Sequence, residues 1–115
     1  VVAKRDVLAP EQLERLHREY TITKDIGSHP NVAGVKPPLA TGEHLILRME
    51  YVGARNLHRL MLGRRKQGSS GGLPSADAWR YFTQICSGAA FLHSAGVCHL
   101  DIKPANVVLG DADGQ

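Results

Sequence analysis

The chain has 115 residues, with 14 Lys and Arg against 11 Asp and Glu, a net charge of +3 and a hydrophobic share of 43%. That apolar share excludes a disordered chain, and the length allows one small domain or part of a larger one. No apolar run is long enough to span a bilayer, and no charged-then-apolar leader opens the chain. Its two cysteines, Cys86 and Cys98, form no CxxC and have no histidine at zinc spacing, so they read as small buried apolar residues in a reducing, cytoplasmic setting. Val1 already reads as mid-strand, which makes the sequence an expected excerpt of a longer protein.

Val1-Val2-Ala3-Lys4 is a short, largely β-branched run and predicts a strand. Pro10 and Glu11 suit the first turn of a helix, one by its fixed φ and the other by its charge at the positive end of the dipole. Gly27 and Pro30 stop that helix near Ile26. Gln12, Leu16, Glu19, Thr23 and Ile26 fall at three- and four-residue steps along one face. An unpaired carboxylate among inward-looking residues is costly, so Glu19 requires a cation. Lys4 on the preceding strand is one candidate, and Arg15 one turn earlier, pairing on the surface, is the other. His29-Pro30-Asn31-Val32 reads as a structural turn with no chemistry assigned to it.

His44 to Val52 is apolar, partly alternating and bounded by Thr41-Gly42, and predicts a strand, followed by a short helix from Leu57 to Leu62. Gly63 to Gly72 is Gly/Ser-rich with three successive basic residues, which predicts a mobile loop. Arg55, Arg59, Arg64, Arg65 and Lys66 concentrate positive charge here, but no aromatic residues are interleaved for stacking on bases. A solvated basic loop fits better than a nucleic-acid site. Ser75 reads as the cap of a long helix running to about His93, with Asp77 at its positive end. Trp79, Phe82, Ile85, Cys86, Ala89 and Leu92 make its apolar face, and Gly96 supplies the reversal after it.

The rest of the chain is organised around His99-Leu100-Asp101-Ile102-Lys103-Pro104-Ala105-Asn106. An acid, a lysine two residues on and an asparagine three further suit the movement of a phosphoryl group. The acid can orient a hydroxyl and accept its proton, the lysine can neutralise phosphate charge, and the amide oxygen can hold Mg²⁺. Pro104 lacks an N–H and disfavours helix at Lys103, so the three functions share an irregular loop. A surface loop could hold the same residue types, but hardly in this order. Val107-Val108-Leu109 predicts a strand after it.

The octapeptide resembles the catalytic loop of protein kinases, H-R-D-L-x-x-x-N. His29-Pro30-Asn31-Val32 likewise resembles the HPNI turn that follows the C-helix in that family. The resemblance spans the whole chain and implies a partial α+β, two-lobe kinase-like fold. It runs from the third strand and C-helix of the smaller lobe through the hinge, the D- and E-helices and the catalytic loop to the seventh strand. Residues 1–52 would then be part of the smaller lobe with the hinge, and residues 53–115 part of the larger lobe.

The implied function is ATP- and Mg²⁺-dependent phosphorylation of Ser/Thr hydroxyls on a protein substrate, with no nucleic acid and no membrane segment. The resemblance implies Asp101 as catalytic base, Lys103 on the γ-phosphate and Asn106 on the metal. Lys4, paired with Glu19, would hold the α/β phosphates. Val2 would lie over adenine and Val108 beneath it. Met49 would be the gatekeeper, with the Glu50 carbonyl and Val52 N–H facing adenine and Asn56 near ribose. Lys103 in K-P-x-N favours Ser/Thr over Tyr kinases.

Three positions depart from the pattern. Val2 replaces an alanine and narrows the nucleotide slot, and Thr23 replaces a leucine. Leu100 replaces the arginine that binds a phosphorylated activation loop, so activation is expected not to depend on that contact. The loop is similar to Mos-type kinases and to myosin light-chain kinases, which share that leucine. The Gly-rich loop and the D-F-G aspartate would lie outside residues 1–115, which by themselves are expected to transfer no phosphate. A pseudokinase scaffold and a small-molecule kinase of aminoglycoside or choline type are the rival readings.

Overall fold

The computed structural model describes residues 2–3, 10–41, 44–68 and 72–111. The chain divides into two compact units, Val1–Tyr51 and Val52–Gln115.

In the first unit, β1 (Val2–Ala3), β2 (Val35–Ala40) and β3 (His44–Met49) form an antiparallel sheet in the order β1-β3-β2. Val2 pairs with Leu45 and Val35 with Met49. The strand β2 was not expected, because Pro37 and Pro38 argue against a strand wherever both edges must donate. It lies at the sheet edge, and its register shifts between Lys36 and Leu39, which accommodates the prolines. Arg48 of β3 steadies the irregularity by donating from Nε and Nη2 to the Pro37 carbonyl, at 3.0 and 2.8 Å.

Helix α1 spans Pro10–Asp25 and packs against β2, with Gly27 just beyond it at φ +83°. The expected stop signals therefore act where the sequence puts them. The hydroxyls of Thr21 and Thr23 are absorbed by carbonyls one turn back, His17 and Glu19. Among its described side chains Leu16, Tyr20 and Thr23 are half-buried, as is Ile26 just after it, so the inward stripe passes beside Glu19 and not through it.

The second unit holds α2 (Leu57–Lys66), α3 (Ser75–Ser94) and a two-stranded antiparallel ladder of β4 (Arg55–Asn56) and β5 (Val108–Leu109). Leu57, Tyr81 and Leu109 are the buried hydrophobic residues among those described, with Leu60, Met61, Leu73 and Val107 packed against them. The chain approaches itself closely at Gly53, where a Cβ would collide with the Leu109 carbonyl oxygen.

Helix α2 runs a full turn further than Leu62. Arg64, Arg65 and Lys66 occupy its last turn, where cations meet the negative end of the dipole, and are not part of a loop. Its N-terminus is closed by Asn56, whose Oδ1 accepts from the Arg59 N–H at 2.9 Å. Replacing Asn56 with alanine is expected to destabilise the unit by about 0.5–2 kcal/mol, measured by urea unfolding. An unchanged midpoint would leave Asn56 no structural role.

Helix α3 begins with Ser75 as its first helical residue. Pro74 precedes it with no side-chain cap, so Ser75 does not cap. The helix ends as expected at Gly96, φ +76°. The Gly96 and Val97 N–H groups donate to His93 and Leu92 carbonyls at 3.0 and 2.9 Å, the Schellman arrangement. The predicted face is rotated. Tyr81 and Gly88 are buried, while Trp79 and Phe82 are 68% and 56% exposed. Cys86 shares that open side, and Cys98 lies in the following loop; both thiols are free and exposed, not buried as the sequence suggested.

Candidate active site

After the Schellman turn the chain enters His99–Lys103 and a single 3-10 turn, Pro104–Asn106. Leu100 takes a left-handed backbone, φ +68°, with its side chain 92% exposed. A non-glycine residue there costs about 1–2 kcal/mol. The reversal it makes brings the Asp101 N–H to His99 Nδ1 at 3.2 Å, so the imidazole accepts from the backbone.

Asp101 is then held by both carboxylate oxygens. Asn106 Nδ2 donates to Oδ2 at 3.0 Å and to the Asp101 main-chain carbonyl at 2.9 Å. Lys103 Nζ stands 3.7 Å from Oδ1. The 3-10 turn makes this possible, since the Asn106 N–H donates to Lys103 O at 2.9 Å and folds the asparagine back over the acid. All three side chains belong to exposed residues, open to a ligand. Sequence order placed them in one loop; the Asp101–Asn106 hydrogen bond was not foreseen.

The donor set fits a hard cation. With its NH₂ spent on Asp101, Asn106 keeps its amide oxygen as an acceptor. Mg²⁺ takes oxygen ligands of this kind, typically one or two carboxylates together with phosphates and water.

The loop is anchored to α2 and β4. Leu57 N–H donates to Val107 O at 2.9 Å, and Asn56 pairs with Val108 across the β4–β5 ladder. Two residues expected around a nucleotide, Asn56 and Val108, are thus neighbours. Val108 is 46% exposed, an apolar surface beside the loop, and Val52 is half-buried. Asn56 spends its oxygen on the helix cap, a role that an Asn directly before an apolar helical run could have signalled.

In the first unit Met49 is 64% exposed, and Glu50 is tied to Gly34 twice. Glu50 N–H donates to Gly34 O at 2.8 Å, and Glu50 Oε2 accepts from Gly34 N–H at 3.0 Å. Glu19 is exposed and pairs with Arg15, Nε to Oε1 3.6 Å, the surface alternative and not the inward position expected for it. Lys4, its other candidate partner, lies outside the described residues, as does the side chain of Val2.

A family model described as "Protein kinase domain" matches residues 1–115. CBL-interacting protein kinase 8 of Oryza sativa subsp. japonica is 33% identical over the full chain, which covers 24% of that protein. In Arabidopsis thaliana, CBL-interacting serine/threonine-protein kinase 7 is 31% identical over 96% of the chain and 24% of its own length. CBL-interacting serine/threonine-protein kinase 16 from the same plant is 35% identical over 90% of the chain and 20% of its own length. The chain thus spans about a fifth to a quarter of the length of these curated relatives.

Proposed function

The chain belongs to the protein kinase domain family, and on that premise we propose that the protein carrying it transfers the γ-phosphoryl group of ATP to serine or threonine hydroxyls of protein substrates. The observation that carries this reading is the Asp101 carboxylate, bridged by Asn106 at 3.0 Å and faced by Lys103 at 3.7 Å.

Asp101 orients the substrate hydroxyl and takes its proton as the new O–P bond forms and the β–γ bridging bond breaks, releasing ADP. Lys103 is a mobile point charge next to that carboxylate, suited to charge on the phosphoryl oxygens. Asn106 Oδ1 and the nucleotide phosphates would share Mg²⁺, which neutralises phosphate charge when bound. Lys4 would reach the α/β phosphates, with Glu19 leaving Arg15 to pair with it. The Glu50 carbonyl and Val52 N–H would recognise adenine, between Val2 and Val108 and next to Met49. The Asn56 amide nitrogen remains available for a ribose hydroxyl while its oxygen caps α2.

The units Val1–Tyr51 and Val52–Gln115 correspond in this reading to parts of the smaller and larger lobes. Phosphoryl transfer is assigned to the whole protein and not to residues 1–115 alone. No helix among the described residues is long and apolar enough to cross a membrane. Exposed, unpaired Cys86 and Cys98 suit a reducing cytoplasm.

Incubating the intact protein with ATP, Mg²⁺ and peptide pools bearing a single Ser, Thr or Tyr acceptor tests the assignment. Label on the Ser and Thr pools is the expected result. Label on Tyr alone refutes the specificity. Nucleotide binding without transfer points to a pseudokinase, and transfer only to an aminoglycoside or choline points to a small-molecule kinase.

A further inference from the structure

Helix α2 has one side that no described element covers, and that side is positively charged. Leu57, Leu60 and Met61 are taken up by the core around Tyr81 and Leu109. His58, Arg59, Leu62, Arg65 and Lys66 are exposed. The last four lie one, four, seven and eight positions after His58, so all five share one face. That stripe is about 12 Å long at the helical rise, and Arg55, three residues before His58 in the chain, is exposed as well.

Among the described residues no ion pair reaches the stripe. The sequence holds no Asp or Glu between Glu50 and Asp77. Ion pairs of the described residues join Arg15 to Glu19, Arg80 to Asp77 and Lys103 to Asp101, all elsewhere. Helix stability explains only part of the charge. Arg65 and Lys66 in the last turn favour the dipole, but Arg59 sits in the first turn, where no acid is present and a cation is unfavourable. Leu62, 42% exposed, stands in the middle.

We propose that this face docks a short acidic amphipathic helix of a partner protein, with an apolar side chain over Leu62 and carboxylates reaching Arg59 at one end and Arg65 and Lys66 at the other. Charge complementarity selects an acidic partner. The central leucine selects a protein over a nucleic acid, because a phosphate backbone gains nothing from it and no aromatic residue is present for bases to stack on. A membrane is disfavoured for the complementary reason: with Leu57, Leu60 and Met61 turned to the core, Leu62 alone is left to insert. This surface is independent of the phosphoryl-transfer reading and is tested without it.

The probe is a fluorescein-labelled peptide with glutamate pairs flanking a leucine at helical spacing, titrated by anisotropy with the intact protein at about 0.1 M salt. A peptide of the same composition, shuffled so that Glu and Leu no longer share a face, is the control. The ordered peptide is expected to bind several-fold tighter than the shuffled one. Arg59→Gln with Arg65→Gln is expected to weaken it roughly tenfold, the loss of two exposed ion pairs. Leu62→Ser is expected to weaken it roughly threefold, and unchanged circular dichroism in each variant excludes unfolding. Equal binding of both peptides, indifference to the substitutions, or no binding overturns the proposal. So does tighter binding of phosphatidylserine vesicles or of a poly(dT) strand.

Discussion

Replacing Asp101 with asparagine in the intact protein is expected to lower kcat on a Ser/Thr peptide about 10²- to 10⁴-fold, the usual contribution of a positioned base. That corresponds to about 3–5 kcal/mol of barrier. The substitution separates chemistry from architecture. An asparagine oxygen can still accept from Asn106 Nδ2, which now bridges the loop at 3.0 Å, so the turn is kept. It cannot take a proton, and it removes the charge that faces Lys103 at 3.7 Å. KM for ATP is therefore expected to change little while kcat collapses. Steady-state kinetics read both quantities. Activity within tenfold of wild type would remove Asp101 from the base role, and with it the central claim about this loop.

The second large effect is on stability. Leu109→Ala is expected to cost about 2–5 kcal/mol, the range for truncating a buried leucine. Leu109 is 4% exposed and is one of three buried hydrophobic residues described, the others being Leu57 and Tyr81. Leu60, Met61, Leu73 and Val107 pack around these three, and how far they collapse into the void sets the cost within that range. The damage reaches the site as well. Leu109 lies in β5, whose ladder with β4 holds Asn56 opposite Val108 and fixes the chain just after Asn106. Urea unfolding followed by far-UV circular dichroism measures the loss, and a change under about 1 kcal/mol would show that the core lies elsewhere.

What the sequence revealed here was local. His99 to Asn106 is contiguous, so its order alone picked out the acid, the cation and the amide, and the fold brings the three side chains together in one loop. Pro10, Gly27 and Gly96 act on their own neighbours, and the helix limits they imply hold. Features that depend on distant partners were hidden. Periodicity finds an apolar face on α3 but not which neighbouring stripe a partner covers, and Tyr81 lies only one position from Phe82. For the same reason Cys86 looked interior. The Glu50–Gly34 link crosses 16 residues and left no trace in either segment. Leu100 reads in the sequence as a replacement for arginine, whereas its left-handed backbone belongs to the turn around it.

The proline pair in β2 has a consequence for the protein outside its folded state. A sheet edge with free N–H groups can recruit a strand from another molecule and seed aggregation. Residues 37 and 38 have no N–H to offer, the register slips beside them, and Arg48 already occupies the Pro37 carbonyl. Lys36 adds a charge that a second strand would have to bury. Replacing both prolines with valine would complete an attractive edge of six residues, and thioflavin-positive fibrils would be expected to follow at concentrations where the natural sequence stays in solution.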